Sequence, residues 1–206
     1  MGDAKHWNQV YDAKGDAVSW FRPQLDLSLR IIDELGLPEG ATAIDVGAGA
    51  STLVDDLLRR GFSRVSVADL SQVALDKTRA RLGEASSRVD FRVGDITELS
   101  LPENAYDLWH DRAVFHFLTD PAQRERYVGQ VRRALKPGGR IIVATFGPQG
   151  PEKCSGLPVQ RYDDDALHAT FGRRDFDKIG SQREVHETPW GSEQEFVYCY
   201  CRCETC

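Results

Sequence analysis

The chain has 206 residues, 41% of them hydrophobic and 28% charged, which is enough to bury the core of one domain. The formal net charge of -6 argues against an extended basic surface for nucleic acid, and no apolar run approaches the roughly 20 residues that span a bilayer. The polar first ten residues also lack the apolar segment of a secretory signal. We therefore expect a soluble cytoplasmic protein that binds neither nucleic acid nor membrane.

Helical and extended patterns alternate through the first half of the chain. Apolar residues at helical spacing predict a helix over Pro23–Leu35, which Gly36 ends. Short apolar runs that stop at glycine or aspartate predict buried parallel strands, and the amphipathic stretches between them predict helices. In chain order these are a strand over Ala41–Val46, a helix over Ser51–Arg60, a strand over Arg64–Asp69, a helix from an N-cap at Ser71 to Leu82, and a strand over Val89–Val93.

The second half continues the alternation and then changes character. The patterns predict a Rossmann-like α/β fold, with a parallel sheet between two layers of helices and ligands at the carboxyl ends of the strands. The predicted elements are a strand over Tyr106–His110, a helix from Pro121 to near Leu135, a turn at Pro137-Gly138-Gly139, a strand over Arg140–Phe146, a loop over Gly147–Pro158, a helix from an Asp163 cap to Phe171, and a closing hairpin of Asp175–Glu187 and Glu193–Cys201.

A glycine-rich turn follows the first predicted strand. It reads Asp45-Val46-Gly47-Ala48-Gly49-Ala50-Ser51, and its two glycines would let the backbone pass close to a ligand. A dinucleotide site would prefer a third glycine where Thr52 stands, and the Asp45 carboxylate would repel a pyrophosphate. The same carboxylate suits a ligand that carries an ammonium group. A tight turn without a ligand is the alternative.

Two further acids follow successive strands. Asp69 ends the second strand, 20 residues after Gly49, where a carboxylate can accept both hydroxyls of a ribose. Gly94-Asp95-Ile96 ends the third strand, where Asp95 can accept from an adenine amine and Ile96 can cover the ring. Each acid could instead cap a turn or helix. Their order along the chain favours a nucleoside-containing ligand.

The ordered set of these motifs resembles the class I S-adenosylmethionine (SAM)-dependent methyltransferases over about residues 40–146. The set also includes Tyr106-Asp107-Leu108 and Leu135-Lys136-Pro137-Gly138-Gly139. The resemblance implies a three-layer α/β/α sandwich with a seven-stranded, mostly parallel sheet whose last strand is antiparallel. It implies SAM as cofactor and S-adenosylhomocysteine as product. The implied cofactor contacts are Trp20, Asp45, Gly47, Ala48, Gly49, Asp69, Leu70, Asp95, Ile96 and Asp111.

Shorter motifs are similar to two narrower groups. Trp7-Asn8-Gln9-Val10-Tyr11, Ser19-Trp20-Phe21 and Asp111-Arg112-Ala113-Val114-Phe115 resemble segments of small thiol methyltransferases of the thiopurine and tellurite-resistance kind, and equally of protein-lysine methyltransferases. The Trp20 indole would gain cation–π energy beside a sulfonium. The aromatic residues could instead pack a helix onto the sheet edge.

Residues after the fourth and fifth strands are candidates for the methyl-acceptor site. Asp111 and His116 are candidate catalytic residues, since an amine acceptor must lose a proton before attack whereas a thiolate needs only alignment. Arg112 is a candidate for a substrate carboxylate or oxyanion. Cys154 and Arg161, in the loop that follows the fifth strand, are candidate substrate contacts. His116 could equally be a hydrogen-bonded spacer, and Arg112 could form an ion pair.

Four of the five cysteines crowd the last eight residues as Cys199, Cys201, Cys203 and Cys206. Strand alternation places the first three on one face, where we expect Cys199 and Cys201 to be small core residues. Capture of a soft metal or metalloid by thiolates is the alternative. A zinc site is not expected, because only Cys203 and Cys206 have the usual spacing and no second pair exists.

The sequence thus predicts one methyltransferase domain over residues 1–206, in which 1–38 form an N-terminal lid or helices, 40–146 bind the cofactor, and 147–206 supply a substrate loop and the closing hairpin. The expected acceptor is a small molecule with a thiol or another soft chalcogen nucleophile. Protein-lysine methylation, SAM binding without catalysis, and either a monomer or a homodimer remain open.

Overall fold

The structure is a computed structural model that describes residues 2–14, 18–19 and 22–206. Its helices are α1 (Ala4–Lys14), α2 (Asp26–Glu34), α3 (Leu53–Arg59), α4 (Gln72–Leu82), α5 (Pro121–Ala134) and α6 (Asp164–Phe171), with 3-10 turns at Gly83–Arg88 and Phe115–Phe117. Its strands are β1 (Thr42–Val46), β2 (Arg64–Asp69), β3 (Val89–Val93), β4 (Tyr106–Arg112), β5 (Leu135–Phe146), β6 (Lys153–Cys154), β7 (Leu157–Pro158), β8 (Phe176–Glu187) and β9 (Glu193–Cys203).

Seven strands form one sheet in the order β3-β2-β1-β4-β5-β9-β8. Strands β1 to β5 are parallel to their neighbours, whereas β9 is antiparallel both to β5 and to β8. The last strand of the chain is therefore the antiparallel one, and it lies between β5 and the edge strand β8. The predicted mostly parallel sheet with an antiparallel last strand is confirmed.

Side chains of the sheet alternate between two hydrophobic cores, which makes the fold three-layered. In β4, Leu108 packs into the core that contains residues of α1 to α4, while its neighbour Trp109 packs into the core that contains residues of α5 and α6. Both side chains are fully buried. Consecutive residues of one strand point to opposite faces, so whether a residue holds an odd or an even position in the strand decides which helix layer it packs against.

Several predicted boundaries are confirmed by their local hydrogen bonds. The Ser71 hydroxyl accepts from Ala74 N at 3.1 Å, as an N-cap does, and α4 begins at the next residue. Asp163 caps α6 in the same way, with 2.8 Å between its carboxylate and Ala166 N. The bounds of β2 and β3 are those expected from the sequence.

Several other boundaries differ from the prediction by one to five residues, and two of the differences lie in the central strands β4 and β5. Strand β4 continues past His110 to Arg112, because Asp111 and Arg112 still pair with β5. Strand β5 begins at Leu135 and runs through the predicted Pro-Gly-Gly turn. A register shift on β4 and a positive φ of 73° at Gly138 absorb the irregularity, so the turn residues form a bulged start to the strand.

No helix within the described ranges is both long enough and apolar enough to cross a membrane. The predicted loop after β5 contains the two-residue strands β6 and β7, which pair antiparallel and place Cys154 beside Leu157. Helix α1 lies in the N-terminal segment that the sequence assigned to a lid or helices. It packs against α4, at the carboxyl edge of the sheet.

Candidate functional site

The glycine-rich turn brings the backbone into close approach with two other segments. Gly47 and Gly49 have positive φ angles of 68° and 51°, which side-chain-bearing residues rarely adopt. A Cβ added to Gly47 would overlap the side chain of Val114, and one added to Gly49 would overlap the Tyr11 ring. Both glycines are therefore required by conformation and by space.

A pocket of about 620 Å³, counted with its open mouth, lies beside this turn at the carboxyl ends of β1, β2 and β4. We call it the main pocket. Six predicted site residues line it, as do several aromatic and aliphatic side chains. Its lining consists of Trp7, Tyr11, Val46, Gly47, Ala68, Asp69, Leu70, Gly94, Ile96, Arg112, Ala113, Val114, Phe117 and Cys154.

Asp69 lies in the wall of the main pocket, at the end of β2. One carboxylate oxygen accepts from Gly49 N at 2.9 Å and the other accepts from Ser71 N at 2.7 Å. Burial raises the pKa of Asp69 to about 6, against these two hydrogen bonds, which lower it. The carboxylate thus ties the glycine turn to the start of α4.

The third strand ends in a turn that Asp95 closes. One Asp95 oxygen accepts from both the backbone N and the hydroxyl of Thr97, each at 2.8 Å. Gly94 and Ile96 line the main pocket, whereas Asp95 is not among its lining residues. The capping alternative therefore describes the Asp95 contacts that the structure shows, and its role at an adenine stays a prediction.

A second pocket of about 500 Å³, which we call the side pocket, adjoins the first across Tyr11, Gly47 and Arg112. Its lining places the Asp45 carboxylate in the same pocket as Arg22, which precedes α2, and His110 and Arg112 of β4. The lining consists of Tyr11, Val18, Arg22, Leu25, Asp45, Gly47, Ala48, Ala50, Ser51, His110 and Arg112.

Asp45 is held by a buried histidine of the neighbouring strand. Asp45 and His110 are register partners on β1 and β4, so their side chains share one face of the sheet. The distance from Asp45 Oδ1 to His110 Nδ1 is 2.8 Å, and His110 Nε2 lies 2.9 Å from the Ser28 hydroxyl on α2. Asp45 and His110 are each at most 3% exposed.

Arg112 stands at the end of β4 and lines both pockets. Its Nε donates to the Tyr198 hydroxyl at 3.1 Å, and its guanidinium lies 4.2 Å from the centre of the Phe196 ring. The Glu184 carboxylate lies 3.6 Å from Arg112 and 3.2 Å from Arg22. Two guanidinium groups therefore lie beside the Glu184 carboxylate at this end of the pockets.

Asp111 points to the opposite face of the sheet from Arg112. Its carboxylate accepts from Val114 N at 2.9 Å, from Phe115 N at 3.1 Å and from the Tyr127 hydroxyl at 2.5 Å. Burial raises the pKa of Asp111 to about 6 despite these hydrogen bonds, which lower it. Asp111 lines neither pocket. In the structure it orders the turn after β4, and its catalytic and cofactor contacts stay predictions.

His116 is also turned away from the pockets. It is fully buried, its ring packs against Phe117 and Phe146 at 4.6 Å, and its Nδ1 accepts from Phe146 N at 3.3 Å. Burial, with a smaller contribution from the Arg112 charge, lowers the pKa of His116 to about 3. A base of that strength, set outside the pocket lining, fits the spacer alternative.

The remaining predicted contacts divide. Cys154 is buried and lines the main pocket. Arg161 instead donates to Pro148 O and Gly150 O and pairs with Glu152, so it orders the loop after β5 and lines neither pocket. Trp20 lies outside the described residues.

Some lining residues were not singled out as site residues from the sequence. Trp7 and Tyr11 reach the main pocket because α1 lies over α4, where Asn8 accepts from the Ser71 hydroxyl at 2.8 Å. Their place in the N-terminal aromatic motif was the available signal. The sequence contains no signal for His110 and Phe117, because their contacts depend on strand register and on the path of the chain after β4.

The cysteine tail forms the end of β9. Cys199 and Cys201 are buried free thiols with 3.7 Å between their sulfurs, which confirms the predicted core position. Cys203 and Cys206 form a disulfide. No group of three or more His, Cys, Asp or Glu side chains within the described part of the chain is arranged to hold a metal ion.

Comparisons with known proteins agree with this geometry. A family described as a methyltransferase domain matches residues 43–139. EEF1A lysine methyltransferase 2 of Danio rerio is 25% identical over 160 residues, which are 70% of this chain and 69% of that protein. A ubiquinone biosynthesis O-methyltransferase of Marinobacter nauticus is 32% identical over 137 residues, which cover 64% of this chain but only 56% of that protein.

The fold is also shared with solved structures. A 1,6-didemethyltoxoflavin-N1-methyltransferase of Burkholderia thailandensis, with bound 1,6-didemethyltoxoflavin and S-adenosylhomocysteine, superposes with a TM-score of 0.68 at 22% identity. The match covers 94% of this chain and 80% of that one.

Proposed function

Since this chain is a class I SAM-dependent methyltransferase, we propose that it methylates a small molecule whose nucleophile is a thiol or another soft chalcogen. SAM, when bound, supplies a methyl group activated by the sulfonium. Everything else in the transfer, including orientation, desolvation and the protonation state of the acceptor, depends on the residues of this chain.

The pockets fit SAM. Gly47 lines both pockets, Gly49 donates its backbone N–H to Asp69, and Asp69 lies at the end of β2, where a ribose can donate two hydroxyls. Leu70 and Ile96 supply apolar walls for a base, and Ala48 and Asp45 face the side pocket. We assign the nucleoside to the main pocket and the amino acid end of the cofactor to the side pocket.

The choice of a thiol acceptor rests on one observation. Among the described residues that line the two pockets, no acid or histidine remains available as a general base. The described ionisable residues that line the pockets are Tyr11, Arg22, Asp45, Asp69, His110, Arg112 and Cys154. Asp45 and Asp69 are assigned to the cofactor, and His110 is engaged by Asp45 and Ser28. No acid or second histidine of this set is left to take a proton from an ammonium acceptor. A thiol is ionised in part near neutral pH and gives up its proton to the solvent, so the thiolate that binds needs no such group.

The acceptor end of the main pocket suits a small molecule with an apolar body and a negatively charged nucleophile. Trp7 and Phe117 meet edge to face with 5.2 Å between ring centres, and Cys154 lies in the same lining. The positive charge of Arg112 favours a deprotonated acceptor over its neutral form. We accordingly assign residues 40–146 to cofactor binding, 147–206 to the acceptor wall and the sheet edge, and α1 to a cover over both.

Protein-lysine methylation is the second candidate, because EEF1A lysine methyltransferase 2 is among the relatives. A lysine acceptor would need a narrow channel for its alkyl chain and a group that removes a proton. The aromatic wall meets the first requirement in part, but the lining residues described above do not meet the second.

Calorimetric titration with SAM and S-adenosylhomocysteine tests the cofactor, and isotopically labelled SAM tests the acceptor. We expect methyl transfer to aromatic and alkyl thiols, with turnover that follows the thiolate fraction as pH rises. Transfer to lysine peptides with none to thiols would establish the second candidate. Cofactor binding without transfer to thiols, amines, phenols, metalloids or lysine peptides would contradict both and indicate a non-catalytic SAM-binding protein.

A further inference from the structure

Asp45, His110 and Ser28 form a buried chain of two hydrogen bonds that reaches the side pocket. The chain runs from the Asp45 carboxylate through both ring nitrogens of His110 to the Ser28 hydroxyl, over contacts of 2.8 Å and 2.9 Å. Asp45 and His110 line the side pocket, whereas Ser28 lines neither pocket and is fully buried.

This order of groups resembles the serine–histidine–aspartate arrangement of hydrolases, but the accessible end is reversed. A serine nucleophile must reach substrate, and here the serine lies on the buried face of α2 while the carboxylate lines the side pocket. The two hydrogen bonds therefore hold the Asp45 carboxylate in place, and the buried Ser28 holds the far side of the His110 ring.

We propose that His110 is a positioning residue that holds the Asp45 carboxylate toward the amino group of SAM. The assignment rests on the proposed binding of SAM across the two pockets. His110 Nδ1–H donates to Asp45 Oδ1, and this fixes the rotation of the carboxylate so that its second oxygen is presented to a ligand. The ionised Asp45 carboxylate can only accept, so it selects the tautomer with the proton on Nδ1, and the Ser28 hydroxyl then donates to Nε2.

The surroundings of His110 explain why the orientation must be enforced. On β4 the cationic Arg112 lines the same pocket, and on β8 Glu184 stands 3.6 Å from Arg112. On β9 the Tyr198 hydroxyl donates to Glu184 at 3.1 Å. Without His110, the Asp45 carboxylate could turn to the Arg112 guanidinium and be lost to an ammonium ligand. Both a ligand amino group and Arg112 could bind the Asp45 carboxylate, and the hydrogen bond from His110 favours the orientation that binds the amino group.

The test compares two replacements of His110. Leucine has a similar size but no donor, whereas the asparagine amide nitrogen can occupy the place of Nδ1 and restore the bond to Asp45. We expect His110→Leu to weaken SAM binding by about tenfold or more, the range for a hydrogen bond to a charged group, and His110→Asn to stay within about threefold of the unmodified protein.

A ligand change shows whether the effect acts at the proposed atom. S-adenosylhomocysteine and an analogue that lacks its α-amino group are titrated into each variant by calorimetry. Loss of the amino group should weaken binding about tenfold in the unmodified protein but less than about threefold in His110→Leu, because the acid is no longer aimed at it. His168→Leu is the control, since it removes a buried imidazole bonded to Phe176 O on the other face of the sheet.

The outcomes separate this proposal from the function on which it rests. Failure of the unmodified protein to bind SAM or S-adenosylhomocysteine overturns both. Binding that His110→Leu leaves unchanged, or weakens equally for both ligands of the pair, overturns only the positioning role. If thermal melting shows that His110→Leu does not fold, His110→Gln takes its place, because the longer amide reaches toward Ser28 and leaves Asp45 without its donor.

Discussion

At the scale of single residues, the parity of position within a strand decides which acids of the chain can meet a ligand. Asp45, His110 and Arg112 project from one face of the sheet and line the side pocket. Asp111 lies between His110 and Arg112 in sequence but projects to the other face, where Tyr127 and two backbone amides bind it. A shift of one position thus separates a pocket residue from a structural one.

Replacement of Asp69 by alanine tests the acid at the end of β2. We expect Asp69→Ala to weaken SAM binding by on the order of 2–4 kcal/mol, because two charge-assisted hydrogen bonds to the ribose are removed. Calorimetry measures the change, with Asp177→Ala, at an exposed acid of β8, as the control. Unchanged affinity for SAM would exclude Asp69 as the ribose acceptor.

The pKa of Asp69 gives the same site a pH dependence. Burial raises this pKa to about 6, so the carboxylate becomes protonated as pH falls through about 6 and loses its charge as an acceptor. SAM affinity is therefore expected to fall between pH 7 and pH 5. Asp69→Asn, which does not titrate, should bind weakly with a flatter profile over this range. A profile of equal steepness in that variant would assign the pH dependence to another group.

At the scale of elements, α1 closes the main pocket from outside the sheet. Tyr11 lies against Gly49, Asn8 bonds to the start of α4, and Lys77 Nζ donates to Tyr11 O at 2.6 Å. Its buried apolar residues Trp7 and Tyr11 both line the main pocket. A bound nucleoside would add apolar contact with Trp7 and Tyr11 and stabilise the closed position.

We expect SAM to protect α1 from proteolysis. Trypsin cleavage at Lys5 should slow when saturating SAM is added, because local opening of the helix must precede cleavage and the ligand stabilises the closed state. Cleavage at the exposed Arg173 and Arg174, which follow α6 away from the pockets, is the internal reference. Equal rates at Lys5 with and without SAM would mean that the helix is not a ligand-dependent lid.

The end of β9 contributes to stability and should be separate from binding. The double change Cys203→Ser with Cys206→Ser removes the disulfide, and we expect it to leave SAM affinity within about twofold while lowering the free energy of unfolding by about 2 kcal/mol, the value for closing so short a loop. Denaturant melts measure the loss, and the unmodified protein under a reductant should show the same loss. A large fall in SAM affinity would connect the tail to the site.

At the scale of the whole molecule, burial of the neutral His116 makes the free energy of unfolding depend on pH in the acid range. Burial lowers the pKa of His116 to about 3, whereas the unfolded value is about 6.5. Between these values the unfolded state binds the proton and the folded state does not. The stability due to neutral His116 is therefore present above about pH 6.5 and is lost as pH falls toward about 3.

His116→Asn should flatten that loss. The amide oxygen can still accept from Phe146 N but does not titrate, so the acid slope of the free energy of unfolding should decrease by up to about 1.4 kcal/mol per pH unit. Denaturant melts from pH 7 to pH 4 measure it. Methyl transfer by the variant should persist, because His116 lies outside the pocket lining; loss of turnover with intact SAM binding would restore its assignment as a catalytic base.

Sequence patterns were sufficient to predict the order of the elements, the three-layer fold and the glycine turn with Asp69. Each of these features depends on a short stretch of sequence. The signals are apolar runs of strand length, caps at Ser71 and Asp163, and glycines where a positive φ is needed. Local signals of this kind do not depend on what packs against them, and for this reason they could be interpreted residue by residue.

The tertiary structure alone decided which polar residues meet in the pockets. His110 reaches Asp45 because two parallel strands are in register. Asp111 still pairs with β5 because β4 continues two residues further than its sequence suggested, and His116 is buried because the 3-10 turn after β4 packs it against Phe146. Tyr11 reaches Gly49 only through the packing of α1 on α4. Contacts between residues 38 or 65 positions apart are fixed by register and by packing, and neither quantity is encoded in any short stretch of the chain.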